Sequence, residues 1–420
     1  MLPLTNQNIA IQLEPDIRIG RLKFSTNSLP SELQLDAELG VVTARNAQAK
    51  RIYLGEYACH PRSILSQNGD ILLMHAAGGM HYAWRGSNQA KNKMLLHVSK
   101  DQGLSWSDPV LPWQCPYSLH APIPFISQRT GEFYVFGTEP MIGHYQGEEN
   151  APIGFRRFND QSKEWDDVRL IRPLNCPDFQ GMSAMRMCET PSGTWLLGTH
   201  RAKWSRNQEG DESVITEQFL LRSEDQGESW TLLPDTKGWQ CPGHSRMDEA
   251  RPIVLSDGQI LLIARTPEGH LWQSRSIDDG MSWTEFQSTP LKHLDAPPMV
   301  FTLDGGSTLI AFIHNKDKPD VIDNLIFSQE IRSELWFSLS TDGSRTWSEP
   351  RFLAVNACTP EKLTGWGSAT PMLSYADLIC IGDTLHLFVD HQMRQVIQIS
   401  FLRSELGSFP TLKELQHPIS

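Results

Sequence analysis

The sequence has few cysteines and no long apolar run, and each absence excludes a class of protein. Its 420 residues contain seven cysteines, an odd number that indicates reduced thiols rather than a disulfide framework. No stretch approaches the ~18 apolar residues of a membrane span. The N-terminus lacks the basic head and apolar core of a signal peptide. We therefore expect a cytoplasmic protein with no membrane partner.

Basic charge is also scarce. The chain has 37 Lys and Arg against 49 Asp and Glu, a net charge of −12, so we expect no nucleic-acid partner. No linker, low-complexity tract or heptad run divides the sequence. We expect residues 1–420 to form a single domain, and the sequence gives no sign of its oligomeric state.

What the sequence does contain is a repeated turn. Four stretches share the pattern Ser-x-Asp-x-Gly-x-x-Trp, the last with Ser in place of Gly: Ser99–Trp106, Ser223–Trp230, Ser276–Trp283 and Ser340–Trp347. Asp and Ser hydrogen-bond to nearby backbone, and Gly allows a positive φ. Copies at a regular spacing mark one supersecondary unit each, so the pattern predicts a repeat architecture.

A second repeat counts the units independently. Apolar strand pairs around a Gly- or Asp-containing turn occur about every 60 residues, at Arg62–Ala76, Pro122–Thr138, Met185–His200, Arg251–Arg265, Pro298–His314 and Pro371–Asp390. Six hairpins predict an all-β, six-bladed β-propeller with four-stranded antiparallel blades. The last blade lacks an outer strand, which we expect the N-terminal segment around Ile17–Phe24 to supply.

Polar residues gather at one end of these hairpins. Because the two strands run antiparallel, the start of the first and the end of the second lie at the same rim. Those positions are His60, His120, Ser183, Glu249, Asp295 and Ser368 on first strands, and Ala76, Thr138, His200, Arg265, His314 and Asp390 on second strands, with Arg201 and His391 beside them. A core does not require this set, so it predicts a site above the central channel.

The repeated turn is the Asp-box, and from about residue 50 to 403 the chain resembles the sialidase superfamily of propellers. In that family three arginines bind the substrate carboxylate, a Tyr activated by Glu is the nucleophile, and an Asp is the acid/base. The resemblance implies that Glu249 and Arg265, 16 residues apart, are the family's Glu and second Arg. It implies that Arg332 is the third Arg, Tyr375 the nucleophile, and Asp390 the acidic residue that supports the first Arg.

Two positions depart from that family. Where the first Arg is expected, the sequence reads Ala58-Cys59-His60-Pro61-Arg62, so the arginine is replaced by Cys59 or displaced to Arg62. The loop Gly78–Lys93, where the acid/base Asp is expected, contains no acidic residue. We therefore assign the acid role to His60 or His120, and include His200, Arg201 and Asp295 among the substrate-binding residues.

Three functions fit these residues, and the first is preferred: hydrolysis of an acidic carbohydrate, of the sialic or uronic acid type. The second is β-elimination on a uronate, for which His120, His200, Tyr145 and Arg265 could supply base and cation. The third is carbohydrate binding without turnover. Four histidines from different blades, His60, His120, His200 and His314, could converge on a metal, but none has ligand spacing in sequence. We expect no metal and no cofactor.

Overall fold

The computed structural model describes residues 11–55, 57–77, 93–113, 123–138, 150–206, 212–314, 332–359 and 372–416. Five short strands precede the repeats: β1 (Asp16–Ile19), β2 (Leu22–Ser25), β3 (Leu33–Asp36), β4 (Val41–Ala44) and β5 (Ala47–Leu54). The rest of the described chain forms six antiparallel sheets arranged as the blades of a propeller. The predicted all-β, six-bladed fold is therefore confirmed.

The first three blades follow in chain order, each from its innermost strand outwards. The first blade is β6 (Ala58–Leu65), β7 (Ile71–Ala77) and β8 (Lys93–Ser99). The second is β9 (Ile123–Ile126), β10 (Phe133–Thr138) and β11 (Ile153–Asn159), edged by β12 (Glu164–Trp165) and β13 (Arg169–Leu170). The third is β14 (Ser183–Glu189), β15 (Trp195–Arg206), β16 (Glu212–Ser223) and β17 (Thr231–Leu233).

The remaining blades repeat the same order. The fourth blade is β18 (Asp248–Val254), β19 (Ile260–Arg265), β20 (His270–Ser276) and β21 (Gln287–Lys292). The fifth is β22 (Met299–Leu303), β23 (Thr308–Ile313), β24 (Glu334–Ser340) and β25 (Arg351–Asn356), extended outwards by β4 and β3. The sixth is β26 (Leu373–Ile381), β27 (Thr384–His391) and β28 (Gln395–Leu402), completed by β5.

Helical structure in the described residues is confined to short pieces. Two 3₁₀ turns lie at Asp304–Gly306 and Arg403–Ser408, and helix α1 spans Leu412–Gln416. None of the helices described is long and apolar enough to cross a membrane.

The four repeated turns share one hydrogen-bonding scheme. In the third blade Ser223 Oγ donates to Asp225 Oδ1 at 2.8 Å and accepts from the backbone N–H of Gly227 at 2.8 Å. Asp225 Oδ1 also accepts from the Ser229 N–H at 2.8 Å. The other three copies repeat these contacts between 2.8 and 2.9 Å. In each turn the Ser and Asp side chains thus satisfy backbone N–H groups of the turn itself, which leaves the blade's apolar faces for packing.

An N-terminal strand closes the ring, but a different one from the segment predicted. Strand β5 pairs antiparallel with β28, with Leu54 opposite Gln395. The segment around Ile17–Phe24 instead folds on itself as the β1–β2 hairpin, which turns at Gly20 with φ +58°. The sequence prediction was wrong because β5 leads almost directly into the inner strand of the first blade, whereas β1 and β2 lie farther back along the chain.

Candidate functional site

The inner strands of four blades carry a β-bulge at the same height. The register of these strands shifts between Cys59 and Arg62, Ala184 and Met187, Asp248 and Arg251, and Ser374 and Asp377. In three of them the residue inside the bulge has a positive φ, at +56° for His60 and +53° for both Glu249 and Tyr375. A left-handed backbone at a bulky non-glycine residue is strained and concentrates at functional sites.

Arg265 is the centre of a buried ion network. Its Nη1 donates to Glu249 Oε2 at 2.9 Å, its Nε donates to Asp295 Oδ1 at 2.5 Å, and Asp248 Oδ1 lies 3.7 Å from Nε. Burial opposes the charge of Arg265, but Asp295, Glu249 and Asp248 outweigh it and raise the pKa of the guanidinium well above its ordinary value. Its buried Nη2 has no hydrogen-bond partner among the described residues, so the network leaves the N–H groups of this nitrogen unused.

Arg246 completes this network from the strand-entry segment of the same blade. It donates to Asp295 Oδ2 at 2.7 Å and to Asp248 Oδ2 at 2.9 Å. Burial would raise the pKa of Asp295, but Arg246 and Arg265 outweigh it and lower the pKa below its ordinary value. Sequence reasoning selected Asp295 and missed both Arg246 and Asp248. Arg246 and Asp248 are two residues apart, the spacing that places side chains on the same face of a strand. This spacing was the signal by which the sequence could have revealed them.

Tyr375 lies between Arg332 and His60. The Arg332 guanidinium is 5.8 Å from the centre of the Tyr375 ring, and the His60 ring meets it edge-on with centroids 4.0 Å apart. Arg332 also donates to the backbone carbonyl of Asp295. Burial, followed by the charge of Glu249, raises the pKa of the Tyr375 phenol to about 12. The phenol is therefore protonated at neutral pH and needs a base to become a nucleophile.

Cys59 occupies the place next to Asp390. Its Sγ donates to Asp390 Oδ2 at 3.1 Å, so the carboxyl that the resemblance pairs with an arginine contacts a thiol instead. Burial raises the pKa of Asp390 to about 7 and the pKa of Cys59 well above its ordinary value. Arg62 lies on the far side of the bulge, where its Nη1 donates to the Tyr375 carbonyl at 3.4 Å. Of the two alternatives for the first Arg, the geometry favours replacement by Cys59.

Two histidines at the rim are buried. The His200 ring lies 3.3 Å (Nδ1) from Ser183 Oγ, and burial lowers its pKa. His314 bridges the Glu334 carbonyl and Ser374 Oγ, and burial lowers its pKa well below the usual range. Both rings are therefore neutral near pH 7.

The other predicted residues either lie away from the ion network or fall outside the residues that the structure describes. Arg201 stacks on Phe179 and Phe219 and donates to the Gln180 carbonyl at 3.3 Å, and its described contacts include none with the ion network. His120 and Tyr145 lie outside the described residues. The part of the chain described holds no group of three or more His, Cys, Asp and Glu side chains arranged to bind a metal.

Comparison with known proteins gives the family of the chain and supports its fold. Residues 112–387 match the family described as "BNR repeat-like domain". A xyloglucanase from Paenibacillus sp is 26% identical over 204 residues, which cover 46% of this chain and 18% of the xyloglucanase. The chain thus spans about a fifth of that relative.

Solved structures share the propeller at low sequence identity. A protein of unknown function from Dyadobacter fermentans superposes with a TM-score of 0.60 at 17% identity, covering 87% of this chain and 100% of its own. The leech intramolecular trans-sialidase gives 0.57 at 12% identity, covering 86% and 71%. Trypanosoma rangeli sialidase, with 2,3-difluorosialic acid as a covalent intermediate, gives 0.56 at 11% identity, covering 89% and 60%. At these identities the likeness shows the fold alone.

Proposed function

Because the chain belongs to the family of BNR repeat-like domains, we propose that it is a glycoside hydrolase that acts on an acidic carbohydrate at the bulge site. The observation that carries this proposal is the grouping of a buried tyrosine, a carboxylate and two arginines from the fourth, fifth and sixth blades. Glu249 influences the pKa of Tyr375, and Arg332 lies against the Tyr375 ring. That is the set needed to form and break a glycosyl–tyrosine bond.

In the proposed reaction Tyr375 Oη attacks the anomeric carbon while Glu249 takes the phenol proton. The glycosidic oxygen leaves and takes a proton from His60, the described histidine nearest the Tyr375 ring. Water then attacks the anomeric carbon of the glycosyl–tyrosine intermediate and gives one proton to His60, which lost its own in the first step. The free sugar is released, and Tyr375 recovers its proton from Glu249. The charge of Glu249 makes the phenol oxygen more basic, and therefore more nucleophilic, than an isolated tyrosine.

The arginines support a substrate carboxylate close to the reacting carbon. Arg332 lies 5.8 Å from the Tyr375 ring, so a carboxylate that it holds would be next to the anomeric centre. The Nη2 group of Arg265, which has no hydrogen-bond partner among the described residues, offers a second contact. Asp390 and Cys59 replace the charged Arg–Asp pair of the sialidase pattern by a carboxyl hydrogen-bonded to a thiol, so no cation stands at the place of the first arginine. We therefore propose a weaker carboxylate receptor than three arginines provide, with His200 and Asp295 shaping its wall.

The experiment compares the wild type with Tyr375→Phe on sialosides, uronate oligosaccharides, xyloglucan and other neutral glycosides. We expect a free acidic sugar from the wild type and a loss of about 10³-fold or more in kcat/KM for Tyr375→Phe. Tyr134→Phe, whose hydroxyl bonds Glu132 far from the site, is the matched control and keeps wild-type activity. A 2,3-difluorinated acidic sugar should add its glycosyl mass to Tyr375.

Each other product contradicts a different part of the proposal. An unsaturated uronate, seen by ultraviolet absorbance, would replace hydrolysis by β-elimination. Release of neutral sugars alone would keep the hydrolase and overturn the acidic substrate. No product from any glycoside, with binding still measurable, would make the propeller a carbohydrate-binding module. An active Tyr375→Phe variant would remove the nucleophile assignment.

A further inference from the structure

Beneath the bulge site the propeller axis contains a cavity. It has a volume of about 740 Å³ and is lined by the inner strands of all six blades. Its lining runs from the residues just below the bulges to the hairpin turns at the other end of those strands, where Leu65, Gln128 and Gly305 are exposed. The cavity therefore faces the side of the ring opposite the candidate glycosidase site.

Positive charge is concentrated at the inner end of this cavity. Arg62, Arg186 and Arg251 come from the first, third and fourth blades and line the same space. Asp377, from the sixth blade, is the carboxylate beside them, with Oδ1 3.4 Å from Arg186 Nη1. Its Oδ2 is already hydrogen-bonded by the Ser63 N–H at 2.6 Å and Oγ at 3.0 Å. Asp377 is thus the carboxylate that the three guanidinium groups share at this end of the cavity.

Two other carboxylates act on this end from a distance. Glu249 lies in the bulge of the fourth blade, above the cavity. Its charge attracts Arg62 and Arg251, but its side chain is hydrogen-bonded to Arg265. Glu189 lines the cavity three residues beyond Arg186, about 10 Å along the strand, and accepts bonds from Ser127, Gln128 and Trp195. The described hydrogen bonds of Glu189 include none to the three arginines.

The arginines have hydrogen-bond donors to spare. Arg62 is 5% exposed and Arg251 1%. Arg62 Nε and Arg251 Nε and Nη2 have no hydrogen-bond partner among the described residues. Burial lowers the pKa of both, and for Arg251 mutual repulsion with Arg62 and Arg186 lowers it further, to about 9. Unpaired buried guanidinium donors are costly, and an anion between them removes that cost.

We propose that the inner end of the axial cavity binds a small tetrahedral oxyanion of the phosphate or sulfate type. Guanidinium groups from three blades converge there, and the forked donors of arginine match such an anion. The same arginines hold the backbone of the Tyr375 bulge, through Arg62 Nη1 to the Tyr375 carbonyl at 3.4 Å and Arg251 Nη1 to the Ala376 carbonyl at 3.5 Å. A bound anion therefore ties three blades together under the candidate catalytic site.

Calorimetric titration with inorganic phosphate and with sulfate tests the site, at constant ionic strength set with chloride. We expect saturable one-to-one binding by the wild type and a rise in melting temperature with anion concentration. Arg186→Gln removes one cation at a partly exposed position and should weaken binding about tenfold or more. Asp377→Asn removes the competing carboxylate and should tighten binding. Arg169→Gln, which breaks an exposed pair with Glu228, is the control and should leave binding unchanged.

The two cavity variants should change the affinity for the anion in opposite directions. This distinguishes a binding effect from a folding artefact, because a merely destabilised protein would lose affinity in both variants. Acetate distinguishes a tetrahedral oxyanion from a carboxylate, and tighter binding of acetate than of phosphate would overturn the assignment. Failure of the wild type to bind either oxyanion would overturn the proposal. So would Arg186→Gln and Arg169→Gln variants that bind alike. None of these outcomes depends on whether the protein hydrolyses glycosides.

Discussion

Replacing Arg265 by alanine removes the central cation of a buried network and should destabilise the fold as well as the site. Arg246, Arg265 and Arg332 balance Asp248, Glu249 and Asp295, and all six residues are at most 5% exposed. Without Arg265 the network keeps a net negative charge, and Glu249 loses an ion pair of 2.9 Å. Removing one partner from a buried pair costs about 3–5 kcal/mol, so we expect a loss of that size in the free energy of unfolding at pH 7.5.

The pH dependence identifies the cause. In the wild type the pKa values of Asp248 and Asp295 are lowered by Arg246 and Arg265 against the effect of burial. These carboxylates therefore stabilise the folded state at pH values above their pKa in the unfolded chain. That stability is lost as the pH falls through their lower pKa in the folded protein. Without Arg265 burial prevails and the carboxylate pKa values rise. The variant then regains stability as acid protonates its carboxylates, and its deficit against the wild type should be smaller at pH 5 than at pH 7.5.

Urea unfolding followed by tryptophan fluorescence measures both quantities. Arg169→Ala, which breaks an exposed ion pair with Glu228, is the control and should cost less than about 1 kcal/mol at either pH. A loss below about 1 kcal/mol for Arg265→Ala at pH 7.5, or a deficit that grows in acid, would refute the reasoning. An inactive Arg265→Ala variant is therefore informative about catalysis only after its stability has been measured.

Two further substitutions test separate features of the structure. Asp390→Asn replaces a buried carboxyl whose pKa is raised to about 7. Because ionising this carboxyl in the folded state costs free energy, the variant should gain about 2–4 kcal/mol of unfolding free energy at pH 8 but little at pH 4. An equal gain at both pH values would exclude ionisation as the cause. Gly198→Ala would place a Cβ 2.0 Å from the Ala250 carbonyl, between the third and fourth blades, whereas Gly243, at φ +78°, has nothing within 4 Å of that position. We expect Gly198→Ala to cost more than about 3 kcal/mol and Gly243→Ala about 1 kcal/mol by urea unfolding, and a milder effect at Gly198 would contradict the close approach of the two blades.

The fold could be predicted because its signals are local. A turn such as Ser223–Trp230 satisfies its own hydrogen bonds, so its residue types are constrained wherever it occurs. Each inner hairpin likewise combines two apolar runs with a turn. The closing strand could not be predicted in the same way, because the pairing of Leu54 with Gln395 spans most of the chain and leaves no local pattern.

The sequence predicted which residues lie at the same rim, because that follows from the antiparallel direction of the strands, but it predicted no further detail of the site. Alignment of the hairpins brought Glu249, Arg265 and Asp295 to one rim, and the structure joins them by hydrogen bonds and ion pairs. It gave no sign of the bulges, because the left-handed backbone at His60 and Tyr375 is imposed by neighbouring strands rather than by residue type. Arg246 was missed for a related reason, since it precedes the strand and reaches the network only through its side chain.

The closing strand also makes the candidate site a consequence of assembly. Strand β5 is the outer edge of the sixth blade, and a few residues later the chain becomes β6, the inner strand of the first blade. Cys59 and His60 on β6 meet Asp390 and Tyr375 of the sixth blade, across a seam that joins the two ends of the described chain. During synthesis one half of this seam exists long before the other. The proposed glycosidase activity would therefore depend on ring closure. Opening the ring at β5 should abolish that activity even where the other five blades stay folded.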